Sequence, residues 1–164
     1  MVFFEDSFDR EGQPGPDWAV LSGRFGITCD QEKNTGVMRG KGQSLIWRQF
    51  PGDVRVELEV FSEDPGDLSI ILATADGGHS DGYLLAFGSE GNTLSKILRR
   101  RKKVAESKAV ATPGATHRIV AEKCGGLVTM HVDGKEILRF VDPAPLSGPG
   151  HEMVGLYFWN TASV

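Results

Sequence analysis

Cysteine is nearly absent from this chain. Cys29 and Cys124 are the only two in 164 residues, and neither stands in a C-x-x-C or other metal-ligand spacing. That excludes a zinc ribbon and a disulfide-stapled scaffold, and the two read as free, partly buried thiols. Long hydrophobic runs are missing too. No stretch reaches the ~18 apolar residues of a membrane-spanning helix. The opening MVFFEDSFDREG carries acids where a secretory leader has a basic start and an apolar stretch, so no export signal is visible and the chain reads as soluble. Neither sign of charge dominates: 18 Lys and Arg stand against 22 Asp and Glu, a net charge of -4. No whole-chain field therefore favours nucleic acid or an anionic membrane, and any polyanion binding would be local. G-x-S-x-G, P-loop and H-E-x-x-H motifs do not occur, and His79, His117, His131 and His151 are spread among loops and strands. Ordinary hydrolase, kinase and protease readings are therefore poor.

Glycine and proline, by contrast, are plentiful and scattered, with 21 and 8 residues. They punctuate short segments rich in Val, Ile, Leu and Phe, which is the pattern of many strands joined by turns. Strands are expected over Phe3 to Phe8, Trp18 to Ser22, Arg24 to Cys29, Gly36 to Arg39, Ser44 to Gln49 and Asp53 to Ser62. They continue over Leu68 to Thr74, Gly82 to Phe87, Thr93 to Arg100, Lys103 to Ser107, Thr116 to Lys123, Leu127 to Val132, Lys135 to Val141 and Met153 to Asn160. No amphipathic stretch of three helical turns interrupts them. The expected fold class is all-β: a single domain over residues 1–164 made of two packed antiparallel sheets.

Two turns are legible in detail. In HVDGKEI, Asp133-Gly134 separates two alternating segments, the residue pair that a type I′ hairpin turn selects because both central residues take positive φ. EKCGGLV repeats the logic with Gly125-Gly126. Thr116 to Val141 is therefore expected to form a three-stranded meander.

The order of these pieces resembles the concanavalin A-like lectin/glucanase superfamily, a jelly-roll sandwich shared with laminin G-like modules. The resemblance is carried by FEDSFDR, PDWAVLSGRFGI, DVRVELEV, DGYLLAFG, HRIVAEKCGGLVTMHVDGKEIL and LSGPGHEMVGLYFWN, which together touch most of the chain. Sandwiches of this type bring the last strand beside the first, so the resemblance implies a further β segment after FWNTASV. A chain lacking that strand would leave the N-terminal strand unpaired and open to pairing with a second copy.

The resemblance also directs attention to DVRVELEV. Endoglucanases of the superfamily carry carboxylates at alternate positions of one strand, the outer two acting as nucleophile and acid/base. By register Arg55 stands where the first carboxylate would be, and a guanidinium cannot attack an anomeric carbon. Glu57 and Glu59 remain as a same-face pair with Arg55 beside them, either a solvated strand face or a set of ligand contacts. Retaining hydrolysis requires carboxyl groups about 5–5.5 Å apart.

Aromatic residues are the second candidate set. Trp47, Tyr83, Tyr157 and Trp159 lie in or beside strands, where an exposed ring can stack on the apolar face of a sugar. In GLYFWNT, alternation puts Leu156, Phe158 and Asn160 on one face and Tyr157 and Trp159 on the other, and the first set makes the better core. Around DGGHSDG, Asp76, His79, Asp81, Glu90 and Asn92 gather in loops. Turn chemistry accounts for them, with Asp76 and Asp81 as candidate Ca²⁺ ligands if a cofactor is present. The five consecutive cations Arg99 to Lys103 suggest a basic hairpin with its tip near Arg101-Lys102.

The functional expectation is a glycan- or polysaccharide-binding module with no cofactor. It would use one sheet face, with Tyr157 and Trp159 stacking and Arg55, Glu57 and Glu59 bonding hydroxyl or acid groups. A glycoside hydrolase similar to the sandwich-fold 3-keto-disaccharide hydrolases, using Glu57 or Glu59, is one alternative. An interaction module that self-associates through its unpaired edge is the other.

Overall fold

The computed structural model describes residues 2–32 and 34–164. Eleven strands form: β1 Trp18–Asp30, β2 Thr35–Ile46, β3 Val54–Phe61, β4 Leu68–Thr74, β5 Tyr83–Gly88, β6 Leu94–Arg99, β7 Lys102–Ser107, β8 Thr116–Cys124, β9 Leu127–Val132, β10 Lys135–Val141 and β11 Met153–Ser163. All neighbours pair antiparallel. A front layer runs β1-β2-β11-β4-β5-β6-β7 and a back layer runs β3-β8-β9-β10. The two meet where the end of β11 reaches β3, Ser163 opposite Phe61. The fold is a two-layered antiparallel jelly-roll sandwich, as the sequence order suggested.

Alternation explains the layering. Val60, Ile119, Ala121, Val128, Met130 and Leu138 of the back layer enclose one core with Leu68, Ile70, Leu72, Leu85, Ile97, Leu156 and Phe158 of the front layer. Strands β4 and β5 are buried along their whole length, because their outward residues Ile71, Leu84 and Ala86 form a second apolar cluster with Leu45, against which Leu98, Met153 and Tyr157 pack. That reads in the sequence as LSIILAT and YLLAF, apolar without alternation, as a strand covered on both faces should.

Several expected strands fuse. Trp18 to Ser22 and Arg24 to Cys29 are one strand, as are Gly36 to Arg39 and Ser44 to Gln49, although glycines at 23, 40 and 42 look like breaks. Gly23 and Gly42 face each other with φ of 72° and 102°, and a Cβ on either would come within 2.0 or 2.2 Å of a backbone oxygen on the partner strand. Here the glycines bend a continuous pair instead of ending it. The expected tip at Arg101-Lys102 moves back one residue: Arg100 and Arg101 carry the positive φ, 46° and 70°. Asp133 and Gly134 both take positive φ, as a type I′ turn requires.

Phe3 to Phe8 forms no strand. Asp6 accepts the Phe8 backbone N–H (2.9 Å), the Trp18 indole N–H (2.8 Å) and two N–H groups of Arg10 (2.8 Å each), which curls the segment into a turn under Trp18. The Arg10 bonds, with those from Trp18 and Phe8, outweigh burial and hold the Asp6 carboxyl down at about 2. The unpaired N-terminal edge strand expected above is thus not formed by this segment. Strand β11 is itself paired on both sides, with β2 and with β4.

Candidate functional site

The outward face of β2 carries Arg39, Lys41, Gln43 and Leu45, with Trp47 just past its end, since Met38, Gly40 and Ser44 point inward or are buried. On β11 the corresponding outward residues are Met153, Gly155, Tyr157 and Trp159, with Val154, Leu156 and Phe158 in the core. Register then breaks between Phe158 and Ala162, where three residues of β11 bulge out opposite Lys41. A bulge re-aims side chains and leaves backbone groups to be satisfied elsewhere. Gly66, in the β3–β4 loop, supplies the acceptor: its carbonyl takes the N–H of Trp159 (3.0 Å) and of Asn160 (3.4 Å). The Asn160 side chain donates to Asp64 (3.2 Å), tying the same loop down.

Around this bulge lie two adjoining open grooves. The smaller is lined by Arg39, Lys41, Glu63, Asp64, Asn160 and Thr161. The larger runs along the β1–β2 pair past Gly23, Arg24, Phe25, Gly26, Arg39, Gly40, Lys41 and Thr161. Trp159, next in the chain to groove-lining Asn160, lines neither groove itself and has 66 % of its surface exposed. Leaving an indole that open forgoes the burial free energy a large aromatic gains in a core.

Tyr157 has a different fate. The loop Ala75–Gly82 folds back over the front layer and lays His79 on its ring, 5.1 Å between centroids. Gln43 accepts the His79 backbone N–H (2.9 Å), and Thr74 holds the loop by donating to the carbonyl of Gly78 (2.6 Å). Burial, reinforced by the Arg101 charge, keeps the His79 imidazole below its usual range, and burial pushes the Tyr157 phenol up. Tyr157 and Trp159 therefore share a face, but only Trp159 is open.

Arg55, Glu57 and Glu59 are exposed on the outer face of the back layer, because Val54, Val56, Leu58 and Val60 turn to the core. The structure does not bring them together with Tyr157 and Trp159. Arg55 is ion-paired with Glu57 (2.7 Å) and with Glu122 across on β8, and Arg118 closes on Glu57 from the other side (2.8 Å). Those two guanidinium bonds, Arg118 first, hold the Glu57 carboxyl below its usual range. A carboxyl so held does not store a proton at neutral pH.

The remaining candidates are absorbed by the fold. Tyr83 is fully buried, its hydroxyl donating to Asp142 (2.6 Å) and accepting from the Leu146 N–H (3.0 Å), and burial with the Asp142 bond drives it up to about 12. Asp81 bonds Thr74 and the Ala75 N–H (3.4 Å), while Asp76 is exposed. Among the described residues no three His, Cys, Asp or Glu side chains gather at metal-binding range. Asn92 bonds both backbone groups of Ala111 (2.8 Å each), and Glu90 pairs with Lys96 (3.1 Å). Cys29 and Cys124 are both exposed and free, where partial burial was expected. No helix is long and apolar enough to cross a membrane among the described residues.

Sequence reasoning missed Arg24, Arg39, Lys41, Asp64 and Asn160. Only the glycine-rich spacing of SGRFG and RGKGQ marks the place where the first three converge, and that spacing reads equally well as turns.

No family model and no curated protein sequence matches the chain. Solved structures do. The carbohydrate binding module CBM66 from Bacillus subtilis superposes with a TM-score of 0.69 at 17 % identity, over 93 % of each chain. A Bacillus subtilis protein of unknown function with a galectin-like fold gives 0.57 at 13 %, over 90 % of this chain and 83 % of that one. SCLam, a non-specific endo-β-1,3(4)-glucanase from family GH16, gives 0.59 at 12 %, over 97 % and 78 %. At such identities the likeness establishes the jelly-roll sandwich fold alone.

Proposed function

We propose that the chain is a glycan-binding module that holds its sugar at the ridge around Trp159. The observation that carries this reading is the open indole on the β11 bulge, next to grooves lined by Asp64, Asn160, Thr161, Arg39 and Lys41. A flat apolar ring takes the C–H face of a sugar, while carboxylate, amide and guanidinium groups take its hydroxyls. The likeness to a carbohydrate binding module supports the same class of ligand. In this reading Tyr157, covered by His79, is the ridge's support and not a second platform. Arg55, Glu57 and Glu59 lie outside the site on the other layer. The glycoside hydrolase alternative draws nothing from Glu57, whose proton is kept off by two arginines.

The test is a glycan and polysaccharide binding panel on the purified chain with a parallel reducing-sugar assay. Binding without turnover is expected, and Trp159→Ala should weaken it about tenfold, roughly 1.4 kcal/mol, with the thermal midpoint unchanged. Binding that survives this substitution would move the site elsewhere.

A further inference from the structure

The larger groove differs from the smaller in chemistry. It contains three cations and no acid, whereas Glu63 and Asp64 stand only at the smaller one. Arg24 and Lys41 are direct cross-strand partners, and Arg39 lies two residues along on the same outward side, opposite Gly26. Like charges placed directly opposite in a sheet repel. Among the described residues, none of the three has a side-chain hydrogen bond or an ion pair to offset that repulsion. Elsewhere this chain pairs its cations readily, with Arg10, Arg48, Arg55, Lys96, Arg99, Lys103, Arg118 and Arg139 all bridged to carboxylates. Gly26, directly opposite Arg39 and two residues along from Arg24, puts no side chain between these cations, so an oxyanion can approach all three.

We propose that this groove binds the acid group of an anionic glycan, a uronate carboxylate or sugar sulfate, with the adjoining ring on Trp159. The inference rests on the glycan-binding reading and names its ligand class. Arg24, Arg39 and Lys41 take the oxyanion, Arg as a planar fork and Lys as a point charge. Thr161 is shared by both grooves and stands between the oxyanion end and the hydroxyl-bonding end. Glu63 and Asp64 repel a second acid group from the smaller groove and so fix the direction in which the chain of sugars lies. The overall charge of -4 makes this a local attraction, effective at short range and weakened by salt.

The experiment is calorimetric titration of the full chain with polygalacturonate, alginate and chondroitin sulfate. Methyl-esterified galacturonan and a neutral β-glucan serve as uncharged probes, and polyglutamate as an acid without sugar. The expected result is binding to at least one acidic glycan and a tenfold or greater loss on methyl esterification. A comparable loss is expected in Arg24→Gln/Lys41→Gln and separately in Arg39→Gln, with affinity falling steadily as salt rises. Neutral glucan bound as tightly as the acids, through Trp159 but independently of the three cations, would overturn the acidic-ligand inference and leave the glycan reading standing. Polyglutamate bound as tightly as the glycans would reduce the groove to a nonspecific basic patch and overturn the inference. Variants that aggregate while binding like wild type would show the cations guarding the β1 edge only, and overturn it too. Silence across every glycan would overturn both readings.

Discussion

Two basic regions of this molecule look alike in charge and differ in what the charge is for. The β6–β7 hairpin holds five cations in a row, the strongest charge feature of the sequence. Most of them are consumed internally. Arg99 lies against the buried Asp142 (2.6 Å) and the carbonyl of Ala144 (2.7 Å), Arg100 reaches His151 (3.3 Å), Arg101 reaches Ser80 (3.2 Å) and Lys103 pairs with Glu106. The hairpin is a clasp that fastens two loops, β10–β11 and β4–β5. Arg24, Arg39 and Lys41 are separated in sequence, make no run, and meet only because a bent strand pair sets them side by side. A run of like charge is thus a poor guide to binding here, while a set of cations without partners is a better one.

Breaking the clasp should have the largest effect. Arg99→Ala leaves Asp142 desolvated without its cation and is expected to cost about 3 kcal/mol in denaturant unfolding, because half of a buried pair is worse than none. Gly42→Ala tests the other side of the comparison. It forces a side chain into a φ of 102° against the Ser22 carbonyl and should cost about 2 kcal/mol, with loss of whatever the larger groove binds.

Acid should separate the regions next. Burial pushes the Asp142 carboxyl up, but bonds from Tyr83, Arg99 and Ala144 outweigh it and leave the group below its ordinary 3.8. Asp6 sits at about 2. Both are depressed in the fold, so their stabilisation is complete above the unfolded value of 3.8 and drains away as pH falls below it, toward about 2 for Asp6. Thermal midpoints should hold steady down to about pH 4 and then drop, with a shallower drop in Asp6→Asn. The smallest effect belongs to the groove: replacing Arg24, Arg39 and Lys41 together should leave the denaturant midpoint unchanged or slightly raised, as removal of mutual repulsion predicts. A clear fall would give these cations a structural role and erase the contrast.

The sequence made the sandwich legible wherever a strand alternates and a turn announces itself. Leu68 to Thr74, Leu127 to Val132 and Lys135 to Val141 appear at their expected limits, and Asp133-Gly134 turns as expected. It misled wherever a residue serves distant partners. FFEDSF alternates like a strand, yet Asp6 is committed to Trp18 and Arg10, which local pattern does not reveal. Gly40 and Gly42 punctuate like turns, yet they bend a strand that continues. The inward side of Leu156 and Phe158 follows from alternation, which leaves Tyr157 and Trp159 outward. That His79 would cover one and not the other depends on how a loop folds back. The groove was least legible of all, because cross-strand register, and not spacing along the chain, assembles Arg24, Arg39 and Lys41.

Strand β11 carries Trp159 and also makes the only strand-to-strand pairing between the two layers among the described residues. The Met38 and Val164 amides, which bond each other's carbonyls at 2.9 Å, extend the β2–β11 pairing just past the bulge. Amide protons flanking the ridge should therefore exchange with solvent only when the whole sandwich opens, on the slow timescale of global unfolding and not of loop fluctuation. The ridge would then be rigid before any ligand arrives, and its affinity would owe little to ordering on contact.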